Sequence, residues 1–195
     1  MMKNRGKYII AALLFAVVFC IGALFQRYTA IIQGQNSLFL FTGDYFRETF
    51  AASWPLSHLL ESFFLQFYEI PMVGPLLTAL IVTLIFFLFH FFLQRIKAHF
   101  PIPEAVIIAS VFWVLAARAE TPIFLYRMLL ISSAHAFAGL FLKKKESAGL
   151  RKWEIAVTGV VIIGAALFVS LGKNIRSTET TAKVRYATYK GDWNK

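Results

Sequence analysis

Five apolar runs, at about 8–26, 72–94, 103–119, 122–142 and 153–172, dominate this chain and leave it few ways to fold. Crossing the roughly 30 Å of bilayer hydrocarbon takes about 20 helical residues. The expected fold is therefore all-α, an integral membrane helical bundle of about five transmembrane helices. Of 195 residues, 58% are hydrophobic and 16% aromatic, well beyond the roughly 45–50% apolar content of soluble domains. The run at 103–119 is short and ends on Arg118 and Glu120. It spans fully only if neighbours shield it or the bilayer is thin there.

Helix-breaking residues mark the same boundaries. Pro71 and Pro75 bracket the start of the second run, and Pro101 and Pro103 open the third; the first backbone N–H groups of a helix have no intrahelical partner, so proline is tolerated there. Thr121 caps the fourth run ahead of Pro122, and Gly172 closes the fifth. No internal repeat or low-complexity linker divides the chain. One transmembrane domain over 1–172 and an outer tail over 173–195 are expected.

The formal charge of +10 does not point to nucleic acid, because the Lys and Arg lie between apolar runs, where they orient spans. With the N-terminus inside, the cytoplasmic side receives Lys3, Arg5, Lys7, Arg95, Lys97, Lys143, Lys144, Lys145, Arg151 and Lys152. The outer side receives Arg27, Arg47, Arg118 and Arg127. That asymmetry predicts a cytoplasmic N-terminus, and five crossings then put the C-terminus outside. The tail works against the rule, with Lys173, Arg176, Lys183, Arg185, Lys190 and Lys195 against two acids. The basic N-terminus and the apolar residues that follow resemble a signal peptide, but the core is too long and Gln26-Arg27-Tyr28 is no cleavage site. An uncleaved anchor is expected. Cys20 stands alone, which excludes an intrachain disulfide and a cysteine metal cluster.

The stretch 37–70 between the first two runs holds Asp44, Glu48, Glu61 and Glu69, four of the ten acidic residues, yet is strongly apolar. Leu56, Leu59, Leu60, Phe63, Phe64 and Phe67 recur at helical spacing as one apolar face, while Ser57, His58, Glu61, Ser62, Gln66 and Glu69 form the other. Such a helix would lie in the membrane interface, its phenylalanines toward acyl chains or the bundle. Phe46 and Phe50, one turn apart beside Asp44, Arg47 and Glu48, suggest a second short interfacial helix after Gly43. The fold class thus includes interfacial amphipathic helices in the first outer loop.

Two readings of its charges stand. In one, Asp44, Glu48 and Glu61 are catalytic candidates, with Asp44 a general base or metal ligand and His58 available across the Pro55 turn; carboxylates beside apolar surface or Arg47 shift their pKa as acid/base chemistry requires. In the other they are solvated faces, with Arg47 pairing Asp44 or Glu48 for about 0–1 kcal/mol. His58 and Glu61 alone do not make a metal site, and no metal or cofactor is expected. Arg118 and Arg127 should converge with Glu120 near the outer hairpin. They suit a phosphate head group, or Glu120 pairs with Arg127 to hold the hairpin. His90, His135, Trp54, Trp113 and Trp153 are expected to be packing or interface residues, and Gly159, Gly164, Ala165 and Ala166 to allow close helix packing.

The segments SLFLFTGDYFRETF and FFLQFYEIPMVGPLL, with Gln66, Phe67, Pro71 and Gly74 at matching places, resemble the opening of an uncharacterised family of bacterial multi-pass inner-membrane proteins, a domain of unknown function. The resemblance covers roughly 8–95. It departs at Trp54-Pro55-Leu56-Ser57, where the family pattern is Pro-Gly-Gly. The resemblance implies a longer protein with a helical soluble part, of which this chain would be an N-terminal piece. In topology alone, Asp44 stands where polyprenyl-phosphate-dependent multi-spanning glycosyltransferases place an acid in their first outer loop.

These readings lead to a multi-pass protein of the bacterial inner membrane with the lipid bilayer as its partner. Its expected role is that of a non-catalytic membrane scaffold or assembly component that binds other membrane helices. The alternative is a lipid-linked-sugar transferase, or an N-terminal fragment of one, with a lipid-phosphate ligand on Arg118 and Arg127.

Overall fold

The helix Val73–Arg95, α4, is the element against which the other long helices pack. In a computed structural model of the chain the described residues are 5–25, 39–51, 54–70, 72–96, 100–118, 123–141, 160–165 and 167. They form α1 (Arg5–Phe25), α2 (Gly43–Ala51), α3 (Pro55–Leu65), α4, α5 (Pro101–Arg118) and α6 (Ile123–Leu140), with a 3-10 turn at Gln66–Glu69. Among the described residues every regular element is helical, and 160–165 and 167 are helical too. Glu120, Thr121, Pro122, the tail over 173–195 and most of the run 153–172 lie outside the described residues.

Among the described residues two helices, Gly6–Phe25 and Val73–Arg95, are long and apolar enough to cross a membrane; Pro101–Ala117 and Phe124–Leu140 are apolar but shorter. Contacts of α1, α5 and α6 with α4 build the core. Its centre consists of Leu14 and Val18 from α1, Val82, Ile85 and Phe86 from α4, Val106 and Trp113 from α5, and Leu125 and Tyr126 from α6. Ile162 belongs to the same cluster.

Small residues set the closeness of these contacts. A Cβ on Gly22 would stand 3.1 Å from Cβ of Pro75, so α1 approaches the first turn of α4 as closely as a glycine permits. At the other end, a Cβ on Gly139 would meet Phe91 at 3.4 Å and Phe92 at 3.5 Å.

A buried polar knot joins α4 to α5. The amide of Gln94 lies 2.9 Å from Nε2 of His90, and Nδ1 of His90 lies 3.4 Å from the carbonyl of Pro101. With the amide donating to Nε2, the ring carries its proton on Nδ1 and donates it to Pro101. His135 packs with its ring centroid 5.8 Å from Phe89 and 5.1 Å from Phe92. His90 is thus a packing residue, whereas His135 is exposed, with its Nδ1 2.8 Å from the Ile131 carbonyl of its own helix.

Candidate functional site: a polar seam under the outer helix

Pro55 opens α3 where its missing N–H costs nothing. Trp54 precedes it in the left-handed region at φ 62, a conformation that costs a bulky residue about 1–2 kcal/mol. Its carbonyl accepts from the Ser57 backbone N–H at 3.0 Å and the Ser57 hydroxyl at 2.8 Å. Met72, ahead of α4, is left-handed as well, at φ 72.

The orientation of α3 is the main structural result. Its buried residues are Ser57, Glu61 and Leu65, spaced i, i+4, i+8, while Leu56, Phe63 and Phe67 are exposed. The expected apolar face is split: Leu60 and Phe64 touch the core, and the two other phenylalanines point away from it. An amphipathic helix on a water-soluble core would show the reverse.

Beneath α3 lies a seam of polar groups. Glu61 is only 8% exposed, and its Oε2 is 3.9 Å from Nδ1 of half-exposed His58. Tyr68, in the 3-10 turn and 2% exposed, has its hydroxyl 3.2 Å from that of Thr78 on α4. Burial pushes the Tyr68 hydroxyl above its usual pKa of 10.0; the nearby Thr78 and Tyr126 hydroxyls oppose that rise, and the Glu61 carboxylate adds to it. The ring of Tyr126, on α6, stacks on Phe64 at 5.8 Å and 10°. Its buried hydroxyl faces that of Tyr68 closely enough to act on it as a hydrogen-bonding neighbour, and the Nε of Arg127, the next residue along α6, is buried too.

The candidates named from sequence are not gathered at one point. Asp44, Arg47 and Glu48 are exposed on α2, which buries no residue. Phe39 ties that segment to α3 through edge-on ring contacts at 5.5 Å with Tyr45 and 5.6 Å with Phe63. Glu61 lies in the seam, and Arg127 stands near the start of α6 with its Nε buried. Arg118 ends α5, and its side chain lies outside the described residues. Among the described residues no group of three or more His, Cys, Asp or Glu could hold a metal.

Tyr68, Thr78 and Tyr126 were not singled out by sequence reasoning. Tyr68 lies seven residues after Glu61, two helical turns on, which is the one signal that places both on a shared face. Tyr126 carries no such signal, because an aromatic inside an apolar run reads as packing.

A family of unknown function, DUF6057, matches residues 2–172 of the chain. No curated protein and no solved structure shows a significant match.

Proposed function

We propose, from the premise that this chain belongs to the DUF6057 family of unknown function, that it is a multi-pass protein of a bacterial inner membrane acting as a non-catalytic scaffold or assembly component. The observation that carries the membrane part is the split face of α3 and the 3-10 turn after it, with Ser57 and Glu61 buried and Phe63 and Phe67 exposed. Lipid rewards that arrangement and water penalises it. Outward stripes on the long helices support the same reading: Met72, Leu76, Leu80 and Leu84 follow one another at i, i+4 intervals along α4, and Ile107, Val111 and Leu115 do so along α5. Helices apolar on both their inner and outer faces are those of a membrane bundle.

In this reading the apolar runs form five spans over 1–172, the N-terminus is cytoplasmic, and α2 and α3 lie in the outer interface ahead of an outer tail at 173–195. The exposed Phe41, Phe50, Phe137 and Phe141 offer surface for partner helices. The alternative, a lipid-linked-sugar transferase using Asp44, Glu48, Glu61, Arg118 and Arg127, is the weaker reading because Asp44 and Glu48 stand on an exposed helix.

The test is alkaline carbonate extraction combined with paired reporters after Lys195, one active only outside and one fluorescent only inside. Retention in the bilayer with the outside reporter active is expected. Release from the membrane, or an inside signal, refutes the five-span arrangement.

A further inference from the structure

α3 covers the start of α6, where Phe64 stacks on Tyr126. Further along, α6 turns a different face outward: Ser133, Ala134, His135, Phe137 and Ala138 are all exposed. His135 lies five residues before the helix ends at Leu140, a rise of about 7.5 Å, so in a bilayer it and Ser133 stand within the hydrocarbon. An ionisable side chain at such a depth almost always faces protein or a water-filled cavity, not acyl chains.

The two polar groups on this face are complementary. His135 Nδ1 lies 2.8 Å from the Ile131 carbonyl; a carbonyl only accepts, so Nδ1 carries the proton and Nε2 of the neutral ring is an acceptor. No donor to that Nε2 is found among the described residues. The Ser133 hydroxyl is a donor in surplus. It and the Ser132 hydroxyl both stand 2.8 Å from the Leu129 carbonyl, which in a regular helix also takes the Ser133 backbone N–H, three donors on an oxygen with two lone pairs. Ser133 and His135 sit about 100° to either side of Ala134, and Ala138 follows Ala134 by one turn. One flank thus offers a donor and the other an acceptor, with small side chains between them that let a second backbone come close. A copy related by a twofold axis along the membrane normal sets opposite flanks together at each edge of the contact, so donor meets acceptor twice. The described part of the fifth apolar run turns Ile162 and Ala165 into the core, and with it in place the α6 face is still exposed.

We propose that α6 pairs with α6 of a second copy of the chain in the same membrane orientation, the Ser133 hydroxyl of each copy donating to Nε2 of His135 in the other across Ala134 and Ala138. This inference rests on the membrane reading above and names a partner for its scaffold surface.

The test uses the full chain in lipid bilayers. With Cys20 replaced by alanine, oxidation of Ala134→Cys or Ala138→Cys should give covalent dimers, and Leu13→Cys, exposed on α1, should not. Dimerisation is then followed by energy transfer between labelled copies at increasing dilution in lipid. Ser133→Ala removes both cross-copy bonds, as does His135→Phe, which keeps a ring beside Phe89 and Phe92; each should weaken dimerisation about tenfold. Mixed together, the two variants should pair with each other in preference to themselves, because one Ser133 and one His135 then still meet. A structural role for either residue alone would give no such preference. Random pairing in the mixture, or crosslinks at Leu13→Cys as strong as at Ala134→Cys, overturns the proposal; so does a chain that stays monomeric at every dilution, whether lipid or the rest of the fifth run covers the face. If His135→Phe does not fold, the crosslinks and Ser133→Ala against the parent decide. A chain released by carbonate defeats the membrane reading, whereas one that stays in the bilayer as a monomer defeats this inference alone.

Discussion

Replacing Gly22 by alanine should destabilise the bundle, although alanine is the better helix former. The added Cβ would sit 3.1 Å from Cβ, 3.4 Å from Cα and 3.7 Å from Cγ of Pro75, where ordinary carbon contacts need about 3.5–4.0 Å. Proline is a rigid ring at the first turn of α4, so relief requires α1 to move outward by several tenths of an ångström. Overpacking of this kind costs about 1–3 kcal/mol, against a gain of roughly 0.5–1 kcal/mol from removing a mid-helix glycine. The net loss is about 0.5–2 kcal/mol. Gly164 supplies the control, because a Cβ there meets nothing within 4 Å; Gly164→Ala should keep the full helix gain. In a thermal unfolding series in one detergent, followed by intrinsic fluorescence, 1 kcal/mol corresponds to about 2–4 °C. Gly22→Ala should melt a few degrees below the parent and Gly164→Ala at or above it. Equal or higher melting of Gly22→Ala would refute the close α1–α4 approach.

Trp113, the largest fully buried side chain among the described residues, should cost about 3–5 kcal/mol when cut to alanine, seen as a large loss of folded protein on size exclusion in detergent. Asp44→Asn should leave assembly and stability unchanged, since Asp44 is exposed on a helix with no buried residue; loss of a measurable transferase activity in that variant would favour the enzymatic alternative. Because Tyr68 ionises above its usual value, the folded state holds that proton more tightly than the unfolded chain. Its contribution to stability is complete below pH about 10 and fades as pH rises toward the folded pKa. In an ultraviolet phenolate titration Tyr68 should ionise late, with alkaline unfolding, and Tyr68→Phe should remove that late component; early ionisation of all tyrosines would contradict its burial.

The long elements were legible because their signal is local. Pro101 and Pro103 mark the start of α5, and unbroken apolar sequence marks α4 whatever lies around it. The rotation of α3 was not legible. Its sequence permits either face inward, and the choice depends on Leu60 and Phe64 reaching the core while Glu61 settles near Tyr68 and Tyr126, contacts that include segments far apart in the chain. The weight given to Asp44 came from its place in the chain, but the polar groups that the fold buries are Glu61 and the tyrosines. A buried hydroxyl inside an apolar run reads as packing until its partners are known.

The faces of α3 and the turn after it decide whether this segment lies against lipid, and nitroxide accessibility measures them directly. With Cys20 replaced by alanine, spin labels at Phe63→Cys, Phe67→Cys and Gln66→Cys would be read in bilayers against oxygen, which concentrates in lipid, and a nickel chelate, which stays in water. Labels at Phe63 and Phe67 should be accessible to oxygen and shielded from nickel. Labels at both positions that collide with nickel more than with oxygen would place the phenylalanine face in water and contradict the account.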